Sequence, residues 1–271
     1  MIDWRLNLRA VIGRAYPRVI GSFREPSWLF FDIFLPLLGI AAFAFYYQAL
    51  GAPSVFIGFV ILGGAMTAYW LNVLWSMAAQ FYWEKEVGNL QLYLMAPMSR
   101  MSVLAGMALG GIFFTSVRAL STLALGLLIF GIEIKITSPI SLLVVFFLTL
   151  FALYGMGMMF SSLYLLYGRG VWHLSSVFQE PIYFVSGFYF PVKALGFWVA
   201  LLASIVPITL GLDAMRQLIF AGQETMGFLP VSVEIVVLIL LAVVFIYGAR
   251  VALNFMENLG KREGRLTLRW Q

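Results

Sequence analysis

The chain has 271 residues, 62% hydrophobic and only 11% charged, with a formal net charge of +5. An ordinary soluble domain is about 25% charged, so a chain this apolar cannot hide its surface from water and reads as a single membrane domain. The lack of cysteine excludes disulfides and thiolate metal sites, and the positive charge reads as membrane topology, with no call for nucleic acid.

Residues 1–27 carry five arginines and no apolar core, so they are not a cleavable signal peptide. Arg5, Arg9, Arg14 and Arg18 alternate with Leu6, Leu8, Val11, Ile12, Val19 and Ile20. This predicts an interfacial amphipathic helix lying flat on the inner leaflet, its arginines toward anionic headgroups, bent at Pro17. Trp28 and the run Phe81–Trp83 suit an aromatic belt.

A membrane span needs roughly 20 apolar residues. The runs 29–49, 55–81, 101–131, 139–167, 171–190 and 231–253 qualify, which predicts an all-α integral membrane protein with six transmembrane helices. The stretch 194–221 is apolar but interrupted by Pro207, Gly211, Asp213 and Arg216. It is expected to form short helices that dip into the outer leaflet and return. A seventh crossing would put the termini on opposite sides. Of the 17 basic residues, Arg118 lies within a span; six crossings leave Lys135, Lys193 and Arg216 outside and thirteen inside, so both termini and the tail 254–271 are expected in the cytoplasm.

Chemistry of the chain's own is missing. Gly260-Lys261 is followed by Arg262 and lacks the glycine spacing of a phosphate loop, and His173, the only histidine, reads as an interfacial polar residue. Energy must therefore come from another chain or from an ion gradient.

The segment 84–100, EKEVGNLQLYLMAPMSR, is a charged island between two apolar runs. Glu84 and Glu86 are expected in a first helical turn, where acids offset the positive helix end. Val87, Leu90 and Leu94 share one face, Pro97 ends the helix, and Ser99 is placed to cap the next one. The same pattern would serve a surface helix anchored to lipid.

The run Glu84-Lys85-Glu86-Val87-Gly88-Asn89-Leu90, continuing to Pro97-Met98-Ser99-Arg100, resembles the E-[KR]-E-x-G-T-[LM]-E-x-L-x-x-[TA]-P-x-[ST]-R signature of type 2 ATP-binding-cassette transporter permeases. Asn89 replaces the usual Thr and Gln91 the usual Glu. A second stretch, Pro181 through Ser186-Gly187 to Pro191, then Pro207-Ile208-Thr209 and Asp213-Ala214-Met215-Arg216, is similar to that family's P-x-x-x-x-S-G-x-x-x-P…P-[IL]-T-x-x-x-[DE]-A-x-R pattern. Together the two motifs extend the resemblance over nearly the whole chain.

The resemblance implies that 84–97 is a cytoplasmic coupling helix docking on a separate nucleotide-binding (ABC ATPase) subunit. Glu84, Glu86 and Arg100 would be polar contacts, Gly88 would allow close backbone approach, Leu90 and Leu94 would fill the partner's pocket, and Pro97 would be the stop. It implies an extracellular gate over 191–221, with Ser186, Gly187, Pro191, Pro207, Asp213 and Arg216 as its residues. It also implies two permease copies, a homodimer, with two ATPase subunits in the cell membrane, and ATP and Mg on the partner, with no cofactor in this chain.

Within the spans, Arg118 and Glu180 lie about 25 and 14 Å along their helices from the inner face and are expected to approach and pair. Asp32 is expected to bond locally, and Asp213 with Arg216, three apart on one face, to pair beneath the gate. Asn72, Ser76 and Gln80 form a polar stripe aimed at a helix or a path, and Gly155, Gly157 and Ser161 suit close helix packing. Phe30, Phe34, Tyr69, Met156 and Tyr183 are candidates for lining an apolar path. The expected function is export of a lipid, a hydrophobic drug or a lipid-linked or polysaccharide substrate. The alternatives are a membrane anchor for an ATPase and an ion-coupled carrier, the latter disfavoured by the few titratable groups in the spans.

Overall fold

The computed structural model describes residues 4–24, 26–165, 170–220 and 227–264. Arg169, Arg265, Arg269 and the side chain of Trp28, which entered the topology and belt expectations, lie outside what is described. Among the described residues there is no strand, only one isolated parallel bridge between Lys135 and Phe220.

The helices are α1 (Trp4–Phe23), α2 (Pro26–Ala49), α3 (Ser54–Leu71), α4 (Gln80–Val87), α5 (Leu90–Met95), α6 (Arg100–Phe130), α7 (Pro139–Tyr164), α8 (Gly170–Val185), α9 (Phe197–Ala203), α10 (Pro207–Ile219) and α11 (Val231–Arg262). A π-helical turn, Asn72–Met77, joins α3 toward α4, and a short 3₁₀ turn, Val192–Leu195, precedes α9. Five stretches are long and apolar enough to cross a membrane: Leu29–Ala49, Ser54–Val87, Arg100–Phe130, Pro139–Tyr164 and Val231–Arg262. The expected span 171–190 falls on α8, whose 16 residues make about 24 Å of helix, shorter than the other spans.

Contacts between distant segments fix which ends lie together. Asn7 Oδ1 accepts from the Ser99 backbone N–H at 2.8 Å, Arg14 pairs with Glu84, and Arg100 meets Glu257 at 3.0 Å. The start of α1, the bend between α4 and α5 (here the elbow), the start of α6 and the end of α11 therefore share one end of the molecule. Continuity then makes α8 a crossing. α7 returns the chain to the elbow end, while α11 starts at the other. The bent pair α9–α10, turned by 113°, stays at that far end. A Cβ on Gly211 would strike Thr149, ten residues and about 15 Å down α7, so α10 dips part way into the bundle and returns, as expected of 194–221.

α3 is the central helix, buried from Val55 to Trp70 apart from Phe56. Tyr69 and Met156 belong to this core, whereas Phe30 and Phe34 stack 5.4 Å apart on the outside of α2; the candidate path lining is thus split between two environments. Gly157 lies against Val73 and Met77, and Gly155 against Ile246 of α11, the close packing that small residues permit.

The expected pairing of Arg118 with Glu180 does not form. Arg118 meets Asp32 of α2 at 3.2 Å, while Glu180 is exposed and accepts from the Gln179 amide. The reason is depth. Asp32 is about 9 Å into α2 and Arg118 about 27 Å into α6, so α6 starts about 18 Å beyond the level where α2 begins. That projecting length is flanked by α1, with Val11 against Gly106, Ala15 against Gly110 and Phe23 against Phe114. α1 is the helix expected before the first span, but its inner face is docked on α6. Arg5 and Arg9 stay exposed, whereas Arg14 and Arg18 turn toward protein, contrary to the expectation that all four face headgroups.

Candidate functional site: the elbow and the polar joint beneath it

The island is two short helices, not one. α4 runs on from the second span and ends at Gly88, whose φ of +89° is the left-handed conformation that closes a helix and that a side chain would strain. α5 stops at Met95, and Ala96, ahead of Pro97, is extended as a residue before proline should be. Ser99 does occupy the N-cap position of α6, but its hydroxyl makes no capping bond; its backbone N–H is instead held by Asn7.

This changes what the glutamates do. Glu84 and Glu86 were expected in a first turn, but α4 starts at Gln80 and places them near its C-terminus, where the helix dipole disfavours acids. Glu84 finds compensation inside the protein. It is buried, paired with Arg14, and accepts from the Gln80 amide at 2.9 Å. The Arg14 guanidinium also lies over the Tyr93 ring, 5.7 Å from its centre. Burial holds the Tyr93 phenol above its ordinary pKa, with Arg14 acting against that shift and Glu84 reinforcing it.

The joint continues toward the membrane. Arg18 donates to the Gln80 side-chain oxygen at 2.9 Å and to the Ser76 hydroxyl, and the Tyr154 hydroxyl of α7 donates to Asn72 at 2.9 Å. Burial lowers the Arg18 pKa; Tyr154 opposes that shift and Arg14 adds to it. The stripe Asn72, Ser76, Gln80 thus points at neighbouring helices. Spacing by four drifts about 40° per step around an α-helix, and the wider π-helical turn takes up drift within the stripe. Arg14 and Arg18 were missed as partners of the island. The signal was present: basic residues four apart on α1 match Gln80 and Glu84, four apart on α4 and running in the opposite direction.

What the elbow leaves accessible differs from the expected set. Leu90 is buried in the core and Leu94 is partly buried against it, so neither forms an open seat. Arg100 is held by Glu257, which also takes Lys261 at 2.6 Å. Glu86 and Gly88 are half-buried and Pro97 is exposed. The elbow's most exposed large apolar residues are Val87, Leu92 and Met95, at 67%, 61% and 75% exposure.

At the far end, the expected Asp213–Arg216 pair does not form. Both are buried, and each reaches stranded backbone groups instead. Arg216 donates to the carbonyls of Phe59 (3.1 Å), Phe188 (2.9 Å) and Phe190 (3.1 Å), and its guanidinium lies over the Phe59 ring. Asp213 accepts from the Phe228 backbone N–H at 2.8 Å and the Gln217 amide at 2.9 Å. The turn at Ser186 and Gly187, where φ is +70°, and the segment from Pro191 are thereby tied to α10, which opens with Pro207.

The fold and the elbow define a multi-pass helical membrane protein, with one end built from an amphipathic helix locked to the elbow. The sequence model of the ABC-2 type transporter family matches residues 17–220, and the chain belongs to that family. No curated protein and no solved structure matches it. The chain is accordingly an ABC transporter permease, a membrane subunit of a family that works with an ATP-binding subunit.

Proposed function

We propose that the chain is the permease half of an ATP-driven exporter and that a separate nucleotide-binding subunit pushes on the elbow. The observation that carries this reading is the division of labour at the elbow. Val87, Leu92 and Met95 face outward as an apolar seat, while Glu84, on the same two-helix unit, is fastened to α1. A partner seated on α5 therefore displaces α1 through Arg14, and the membrane helices through Arg18, Ser76 and Asn72. In this reading Glu86, Gly88 and Pro97 rim the contact, and ATP and Mg act on the partner chain.

The assembly is two permease copies with two ATPase subunits in the cytoplasmic membrane, both termini in the cytoplasm, and α9–α10 forms the gate on the opposite side. The cargo class is a lipid, a hydrophobic drug or a lipid-linked or polysaccharide molecule. The family assignment favours transport over a bare anchor. The test is ATP hydrolysis and substrate flux in proteoliposomes holding permease and ATPase. Leu92→Glu with Met95→Glu is expected to leave the permease folded, since both side chains are exposed, and to lower coupled hydrolysis at least about tenfold, the factor for losing 1.4 kcal/mol of contact. Undiminished flux and hydrolysis would overturn the reading.

A further inference from the structure

A groove runs down the outside of the molecule between α7 and α11, away from the elbow's outward face. Its main cavity, about 700 Å³, is walled by apolar residues including Phe151, Ile239, Val243 and Ile246, and it ends at Asn7, Ser102 and Arg250. A second cavity of about 350 Å³ shares Arg250 and Ser99 and continues toward the elbow end past Asn254. The groove therefore grades from hydrocarbon-like to polar along one direction.

Its dimensions match half a bilayer. Ile239 and Arg250 are eleven residues apart on α11, about 16 Å, against about 15 Å for one leaflet of a 30 Å hydrocarbon core. Arg250 is about 28 Å from the start of α11, close to the roughly 30 Å thickness of a hydrocarbon core. Charge fits as well. Arg100 nearby is paired with Glu257, but among the described residues no carboxylate pairs with Arg250, which is exposed. Asn7 spends its carbonyl oxygen on Ser99, leaving its amide hydrogens as donors beside that charge.

We infer that this groove is a binding site for one anionic phospholipid of the elbow-side leaflet, its phosphate held by Arg250, Asn7 and Ser102 and an acyl chain lying against Ile246, Val243 and Ile239. The lipid would join α1, the start of α6, α7 and α11, elements that meet at this spot. Nothing in this site depends on what the permease carries or on which ATPase drives it.

The test uses the full-length chain reconstituted in nanodiscs of dioleoylphosphatidylcholine with and without dioleoylphosphatidylglycerol, then released for native mass spectrometry of retained lipid. The native chain retains phosphatidylglycerol in preference to phosphatidylcholine. Arg250→Gln lowers phosphatidylglycerol retention about fivefold, the factor for one basic residue at a charged membrane surface, and Arg250→Lys keeps most of it. Val243→Trp fills the groove and lowers retention of both lipids. Arg24→Gln, an exposed arginine beyond the groove, changes nothing. Retention unaltered by both Arg250→Gln and Val243→Trp, or lowered equally by Arg24→Gln, would overturn the site. If Arg250→Gln fails to insert, Val243→Trp decides: lipid still held with the groove filled refutes it.

Discussion

Among the described residues, Arg216 is buried without an ion pair to a carboxylate, and three backbone carbonyls converge on its fork. Those carbonyls come from α3 and from the turn after α8, so one side chain joins three segments at the far end. A lysine has a point charge and cannot reproduce a planar fork. Arg216→Lys is expected to leave buried carbonyls unsatisfied and to cost about 3 kcal/mol, read as a lower midpoint of thermal unfolding in detergent. An unchanged midpoint would show that the carbonyls find other donors. The same side chain explains why the Ser-Gly turn and the Asp-x-x-Arg segment, well separated in sequence, meet here: the arginine of one holds the backbone of the other.

At the scale of elements, the joint between α1 and α4 couples the N-terminal helix to the elbow. Removing one partner of Arg14–Glu84 strands the other. Either Arg14→Glu or Glu84→Arg is expected to cost about 2 kcal/mol, less than for a fully buried pair because 26% of the Arg14 side chain stays exposed. The double exchange is expected to recover at least half of the loss, measured as a double-mutant cycle on the unfolding midpoint. Additive losses would mean that the two residues act separately. Tight packing of α1 supports the same coupling, since a Cβ on Gly106 would press on the Val11 carbonyl at 2.5 Å. Motion of α1 is therefore passed to α6 instead of being absorbed in a gap.

At the scale of the whole molecule, most of the architecture could be read from apolar run length, because lipid demands about 20 residues per crossing. The island, the re-entrant stretch and the closeness of α1 and of the end of α11 to the island followed from charge and proline placement. Depth could not be read in that way. Counting residues from the start of an apolar run assumes that all runs start at one level, whereas α6 begins about 18 Å beyond the level where α2 begins, beside α1. That offset redirected Arg118 from Glu180 to Asp32. The direction of Glu84 was hidden for a similar reason: the helix boundary fell at Gln80, inside a run read as a span, so an acid expected at a helix start stands near a helix end. The motif residues were located, but their facing was set by α1, whose arginines look on sequence like ligands for lipid.

The central claim is that a partner ATPase seats on the outward face of α5 while the inward face belongs to the permease core. The chain has no cysteine, so a single introduced thiol reports without background. In the assembled transporter, a cysteine at Leu92 or Met95 is expected to cross-link to the nucleotide-binding subunit with a short bifunctional reagent, and one at Leu90, which is 3% exposed, is not. Cross-linking from Leu90 in place of Leu92 and Met95 would contradict the claim.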